Sequence, residues 1–252
     1  MAKIVLITGA TSGIGEACAR VFAREGFDLI LTGRRLDRLE KLAGSLNAGF
    51  DVQVAVCSFD VRHRDSVVKS LNDLPENWKK VNVLINNAGL SQGLDPLHNG
   101  SMDDWDLMID TNIKGLLYVS KVVSNWMVDN KGGHIVNIGS IAGKEVYVNG
   151  NVYCATKYAV DALNKGMRID LLPYGIKVTG IHPGAVETEF SEVRFKGDKE
   201  RAKKVYEGFE PLNAMDIAET IFFAVSRPAH VNINDLVIMP TAQATASNII
   251  RK

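Results

Sequence analysis

No sign of charge dominates this chain. It carries 29 Lys and Arg against 29 Asp and Glu, a formal net charge of zero. Holding a polyanion takes a basic field, so nucleic acid is not expected as a partner. No apolar run approaches the roughly 18 residues of a membrane span, so no membrane partner is expected either. Cysteine is scarce and odd in number. Cys18, Cys57 and Cys154 are scattered without the spacing of a metal knot. Neither a disulfide framework nor a metal site is therefore expected, and free thiols suit a cytoplasmic location. A strand is expected almost at the first residue, so no secretory leader is expected. No linker, repeat or low-complexity stretch divides it. With 252 residues, 46% of them hydrophobic and 23% charged, one domain with a large core is expected.

What the chain does have is an opening strand, turn and helix. The run Val5-Leu6-Ile7-Thr8 ends in Gly9-Ala10-Thr11-Ser12-Gly13-Ile14-Gly15, and a helical pattern follows at 16–25. Gly9 permits the tight turn. Gly13, lacking a Cβ, lets a diphosphate approach the backbone, and Gly15 lets the helix pack on the strand. The free N–H groups and positive dipole end of the helix suit an anion. The spacing is G-x-x-x-G-x-G, a variant of the dinucleotide-binding pattern.

A second strand at 28–32 ends at Gly33-Arg34-Arg35. In a dinucleotide fold this strand end meets the adenosine ribose. A carboxylate there selects the 2′-hydroxyl of NAD, whereas guanidinium groups accept the 2′-phosphate of NADP. Arg34 and Arg35 therefore point to NADP. A third strand at 51–57 leads to Asp60-Val61, where an adenine edge fits. Strands at 81–85, 133–138, 177–182 and 235–239 follow, with helices at 36–46, 64–74, from 101 through 121, 153–172 and 214–226 between them. The charge-rich stretch 192–210 reads as a mobile helical insertion. Strands alternating with helices imply a doubly wound α/β sheet of parallel strands with helices on both faces. The strand ends at Gly9, Arg34, Asp60, Asn87, Ser140 and Pro183 then face one crevice, where such sheets bind ligands.

Tyr153 and Lys157, four residues apart on one helix, share a face. A tyrosine of pKa near 10 exchanges protons at neutral pH only with about 4 kcal/mol of help. A neighbouring ammonium is one source of that help and a bound nicotinamide cation another. Ser140, ending the preceding strand, is placed to donate a hydrogen bond to the same substrate oxygen. In isolation such a Tyr/Lys pair is usually only a helix-surface pair; the company of Ser140 and the glycine turn gives it meaning.

Together these motifs, with Asn86-Asn87-Ala88-Gly89, Asn112, Tyr153-Cys154-Ala155-Thr156-Lys157 and Pro183-Gly184, resemble the short-chain dehydrogenase/reductase family along nearly the whole chain. The resemblance implies a single-domain Rossmann-type sheet of about seven strands and a homotetramer. It implies Tyr153 as acid/base, Lys157 on the nicotinamide ribose, Ser140 on the substrate oxygen, and Asn112 holding a water that links Lys157 to solvent. It extends the cofactor set over Gly9, Thr11, Ser12, Gly13, Ile14, Gly15, Arg34, Arg35, Asp60, Val61, Asn87, Ala88, Gly89, Pro183, Gly184, Val186 and Thr188. Within the family, stretches such as Gly150-Asn151-Val152-Tyr153 and Val193-Arg194-Phe195-Lys196-Gly197-Asp198 are similar to NADP-dependent 3-hydroxy acid dehydrogenases. That group acts on serine, allo-threonine and 3-hydroxypropionate, and similar enzymes reduce sulfoacetaldehyde. A small anionic substrate needs a cation near Ser140 and Tyr153. Arg194 is the expected one, with Tyr147, Asn151 and Phe195 beside it and 186–212 as a substrate-covering segment. A reductase of bulkier carbonyls and a silent NADPH-binding regulator are the competing readings; an intact Ser140, Tyr153 and Lys157 oppose the second.

Overall fold

A computed structural model describes residues 2–252. Seven strands form one sheet, β1 Ile4–Thr8, β2 Asp28–Gly33, β3 Val54–Ser58, β4 Val81–Asn86, β5 Gly133–Ile138, β6 Ile176–Pro183 and β7 Asp235–Ile238. Their order is β3-β2-β1-β4-β5-β6-β7 and every pairing is parallel. The near-continuous apolar strands, IVLIT in β1 for example, are those of a sheet buried on both faces. The strand order reverses at β1, so β1 and β4 part at their carboxyl ends and leave a crevice.

Alternation sorts the strands' side chains between two cores. Val5 and Ile7 of β1 pack with Phe22 of helix α1 (Gly13–Arg24), Leu39 and Leu46 of α2 (Leu36–Gly49) and Ile221 of α9 (Ala214–Val225). Ile4 and Leu6 pack the other way, with Leu71 of α3 (Arg64–Asn72), Val123 and Met127 of α5 (Leu116–Asp129) and Leu171 of α6 (Asn151–Leu171). Edge-on contacts among Phe22, Phe27 and Phe222 close the outer rim of the first core. Helix α9 opens on a reciprocal cap, in which Asn213 accepts from Asp216 N–H and Asp216 accepts from Asn213 N–H.

Two local expectations need correction. β3 opens at Val54 instead of residue 51, because Val52 N–H turns back to Phe50 C=O. The helix expected to run unbroken from 101 through 121 is interrupted. It begins as α4 (Met102–Ile109) on a Ser101 cap, passes through a π-helical turn at Asp110–Gly115 and resumes as α5. Buried Thr111 and Asn112 and the tight approach of Gly115 to Val61 mark that turn. The charge-rich stretch 192–210, expected to be helical, does carry helix: the end of α7 (Phe190–Arg194) and all of α8 (Lys199–Lys204). Its base is pinned by Glu187 N–H to Leu212 C=O and Leu212 N–H to Ala185 C=O. Among the described residues no helix is long and apolar enough to cross a membrane.

Candidate active site

A cavity of about 460 Å³ lies over the carboxyl ends of the strands, within the usual range for cofactor clefts. At its floor Gly9 and Gly13 take positive φ of 67° and 54°, angles at which a side chain is strained. Gly15 has a different duty. A Cβ there would stand 2.3 Å from Gly9 O and 2.6 Å from Asn87 Nδ2. It is therefore buried under the turn and does not line the cavity. Asn87 ties the turn down, donating to Thr8 O at 2.9 Å and Gly9 O at 3.2 Å. Thr8 Oγ1 accepts from Asn87 N–H and Ala88 N–H in return. The side chain of Asn87 thus serves the turn, while Ala88 and Gly89 present backbone to the cavity.

The amino end of α1 opens onto this floor. Its N-cap Ser12 makes no side-chain capping bond, so the first-turn N–H groups are available to an anion. Thr11, Ser12, Ile14, Arg34, Arg35, Asp60 and Val61 line the same end. Arg35 donates to Thr11 Oγ1 at 2.8 Å and Ser12 Oγ at 2.9 Å. Arg34 is held loosely, its guanidinium 3.8 Å from Asp60. Asp60 itself is gripped by Arg62 at 2.6 Å; burial raises its pKa, but the Arg62 hydrogen bonds prevail and leave it below the ordinary value. A Cβ-free floor, an uncapped helix start and a guanidinium pair with hydroxyl groups fit a dinucleotide bearing a 2′-phosphate.

At the other end of the cavity stand Ser140, Tyr153 and Lys157. Gly139, just before Ser140, leaves room for the buried His182 ring, whose Nδ1 would lie 2.4 Å from a Cβ there. Ser140 Oγ accepts Ala142 N–H at 3.1 Å, which leaves its own hydrogen for another acceptor. Lys157 Nζ is buried and donates to Ile138 C=O at 2.9 Å. Burial alone lowers its pKa to about 8. Its ammonium lies 6.0 Å from the centre of the Tyr153 ring. Tyr153 is pushed above the usual phenol range by burial and by Tyr147, against the pull of a Ser140 hydrogen bond and the Arg194 charge. The protein's own groups therefore leave the phenol protonated near neutral pH; of the two expected sources of help, the ammonium of Lys157 without the nicotinamide cation does not bring it down.

Arg194 enters from α7. Its guanidinium donates to Tyr147 Oη at 2.8 Å and Gly93 C=O at 3.3 Å. It lies 5.9 Å from the Tyr153 ring centre and 5.5 Å from that of Tyr147. Gly93 N–H donates to Arg194 C=O, so a backbone link seats the side chain as well. Phe190, not expected from the sequence, stacks at a tilt 5.7 Å from Tyr153. Pro183, Gly184, Val186 and Thr188 line the wall beneath, with Thr188 Cγ2 3.2 Å from where a Gly13 Cβ would be.

Three expected residues stand elsewhere. Asn151 lies outside the main cavity, because its amide donates to Asp95 C=O and its carbonyl accepts Val152 N–H. It lines a small adjoining hollow shared with Trp105 and Arg194. Phe195 turns away and is covered by the Arg201 guanidinium, 4.4 Å from its ring. Asn112 is buried in the π turn and spends its amide on Leu90 and Thr156. Gln243, from the last stretch of chain, was not legible as a site residue; its Oε1 accepts Ala185 N–H and fills the space beside Gly184. Behind Ser140, Asp161, Asp235 and His182 meet Lys144, whose Nζ is 2.6 Å from Asp161. That knot of charge supports β6 where it passes the site.

A family model described as short chain dehydrogenase matches residues 3–199. The NADP-dependent 3-hydroxy acid dehydrogenase YdfG of Salmonella typhi is 47% identical over 244 residues, covering 96% of this chain and 97% of that protein. Sulfoacetaldehyde reductase 2 of Chromohalobacter salexigens is 46% identical, covering 97% and 96%. Among solved structures, the closed form of a serine dehydrogenase complexed with NADP+ superposes with a TM-score of 0.92 at 44% identity, covering 99% of each chain.

Proposed function

The chain belongs to the short chain dehydrogenase family and is an NADP-dependent oxidoreductase within it, and from that premise we propose that it interconverts a small 3-hydroxy acid and the corresponding aldehyde or ketone. NADP, when bound, supplies the hydride acceptor or donor. Tyr153 exchanges the proton at the substrate oxygen, and its buried, protonated phenol is the form that carbonyl reduction consumes. Ser140 donates its free hydrogen to the same oxygen. Lys157 spends one hydrogen on Ile138 C=O and offers the others to the nicotinamide ribose. Asn112 fixes the Leu90 backbone beside them, and by the family pattern it holds the water that links Lys157 to solvent.

The observation that carries the substrate class is Arg194. A guanidinium beside the proton donor gives a short carboxylate its bidentate partner. Tyr147, already bonded to it, adds a hydroxyl. The segment 186–212 covers the substrate and brings Arg194 with it. Serine, allo-threonine and 3-hydroxypropionate satisfy this arrangement, and the names of the relatives support the reading. A sulfonate presents similar charge, so sulfoacetaldehyde is the second candidate, favoured by the similarity to a reductase of that name. Comparing kcat/KM across short hydroxy acids, hydroxysulfonates, their aldehydes and a neutral aldehyde tests the class. Preference for the neutral compound would overturn it. The exposed Tyr158 and Ile169 of α6, with Leu172 just after it, support a homo-oligomer, by the family pattern a tetramer, and three unpaired, buried thiols support a cytoplasmic location.

A further inference from the structure

Glu189 lies on the covering segment, yet its carboxylate reaches back to the far end of the cavity. Oε2 accepts from Arg35 Nη1 at 3.0 Å and Oε1 from Arg38 Nη1 at 2.8 Å. Arg35 is the same residue whose other nitrogens hold the Thr11 and Ser12 hydroxyl groups. One guanidinium therefore joins the anion platform of the glycine turn to the segment bearing Arg194. A carboxylate and a 2′-phosphate each offer a guanidinium a pair of oxygens to bridge, and both carry negative charge. They contend for Arg35, and each is repelled by the other.

We infer that Glu189 is a tether which senses the cofactor's 2′-phosphate: Arg35 exchanges Glu189 for the phosphate, leaving Glu189 on Arg38 alone. One tether of the covering segment then weakens. Another, Arg194 with Gly93 and Lys196 with Asp104 at 2.9 Å, is untouched. A dinucleotide without the phosphate leaves both in place. Discrimination between NADP and NAD thus reaches the segment that closes over the substrate, through residues 154 positions apart. Glu189 is on this account a positioning residue. The inference rests on NADP dependence and not on the choice of substrate.

Calorimetric titration with adenosine 2′,5′-bisphosphate and with ADP tests it, since neither ligand carries nicotinamide. Glu189→Gln removes the competitor, so the bisphosphate should bind about two- to fivefold more tightly, the range of an exposed ion pair, while ADP changes less than twofold. Arg38→Ala removes the other partner, concentrates Glu189 on Arg35 and should weaken the bisphosphate by a similar factor. In the Glu189→Gln background Arg38→Ala should be silent. Hydrogen exchange supplies a second readout. The bisphosphate, and not ADP, should speed exchange of the α7 amides in the parent protein, with no such response in Glu189→Gln. Equal or weaker bisphosphate binding by Glu189→Gln overturns the inference. So does a loss from Arg38→Ala that persists in the double variant, or an α7 that responds to both ligands alike.

Discussion

The guanidinium of Arg194 and the ring of Tyr153 stand 5.9 Å apart, though 41 residues of sequence separate the two. The cation is close enough to hold the carboxylate of a 3-hydroxy acid, whose carbon is three bonds from the oxygen that Tyr153 serves. Arg194→Ala should raise KM for a charged substrate by about one to two orders of magnitude, the loss of one charge-assisted contact worth about 1.5–3 kcal/mol. A neutral aldehyde of similar size should suffer much less, and Arg194→Lys should restore only part of the loss. Steady-state kinetics on matched charged and neutral substrates decide it. Equal losses for both would show that Arg194 seats the segment through Gly93 and Tyr147 without reading the anion.

Tyr153→Phe keeps the ring against Phe190 and removes only the hydroxyl. Turnover should drop by about two to four orders of magnitude, while NADPH quenching of intrinsic fluorescence is retained. Turnover near that of the parent would take Tyr153 out of the reaction.

The paired substitution Arg34→Ala with Arg35→Ala should weaken NADPH far more than NADH, each lost contact contributing about 1.5–3 kcal/mol. Dissociation constants for both cofactors measure this. A retained preference for NADPH would move phosphate recognition to Thr11 and Ser12.

His134 provides a pH prediction independent of catalysis. Its Nε2 lies 2.7 Å from Thr179 Oγ1, and that hydroxyl already donates to Ile233 C=O. The ring must therefore donate from Nε2. Burial, with a lesser push from Lys177, lowers its pKa from 6.5 to about 3. Between those values the unfolded chain binds the extra proton, so stability is full above pH 6.5 and drains as pH falls toward 3. By pH 5 the loss from this one group is about 2 kcal/mol. His182, also lowered mainly by burial, acts in the same direction. Urea unfolding at pH 7.5 and pH 5 should show His134→Gln losing less on acidification than the parent. An unchanged difference would remove His134 from the acid response.

The parts of the site legible in the sequence are those whose partners are close along the chain. Gly9 to Gly15 declare a turn because φ and close approach restrict their identity locally. Tyr153 and Lys157 declare a face because the helix repeat puts them on one side. The seven strands were legible from apolar runs. What was missed depends on distant contacts. Asn87 pins a turn 78 residues away, and Glu189 meets an arginine 154 residues away. Neither leaves a periodic trace. The π turn at Asp110–Gly115 inserts a residue into a helix whose apolar spacing still reads as continuous, since α4 and α5 each bury their own stripe. Asn151 and Phe195 lie outside the main cavity for one reason: nearness in sequence to Tyr153 or Arg194 says nothing about direction, and helical side chains one or two residues apart diverge by about 100° or 200°.

The place of β1 in the middle of the sheet sets a schedule for biosynthesis. β1 pairs with β2 on one side, Ile4 opposite Asp28, but its other edge waits for β4, where Ile4 meets Val81. The waiting edge is four buried apolar residues and a threonine. At about 5–20 residues per second, a ribosome needs roughly 4–15 s to advance the 77 positions from Ile4 to Val81. For that interval the nascent chain exposes the strand that will carry its cofactor turn, with β2 and β3 able to pair only on the far side. Chaperone capture of this chain should accordingly peak on ribosomes stalled before residue 86 and fall once β4 has emerged.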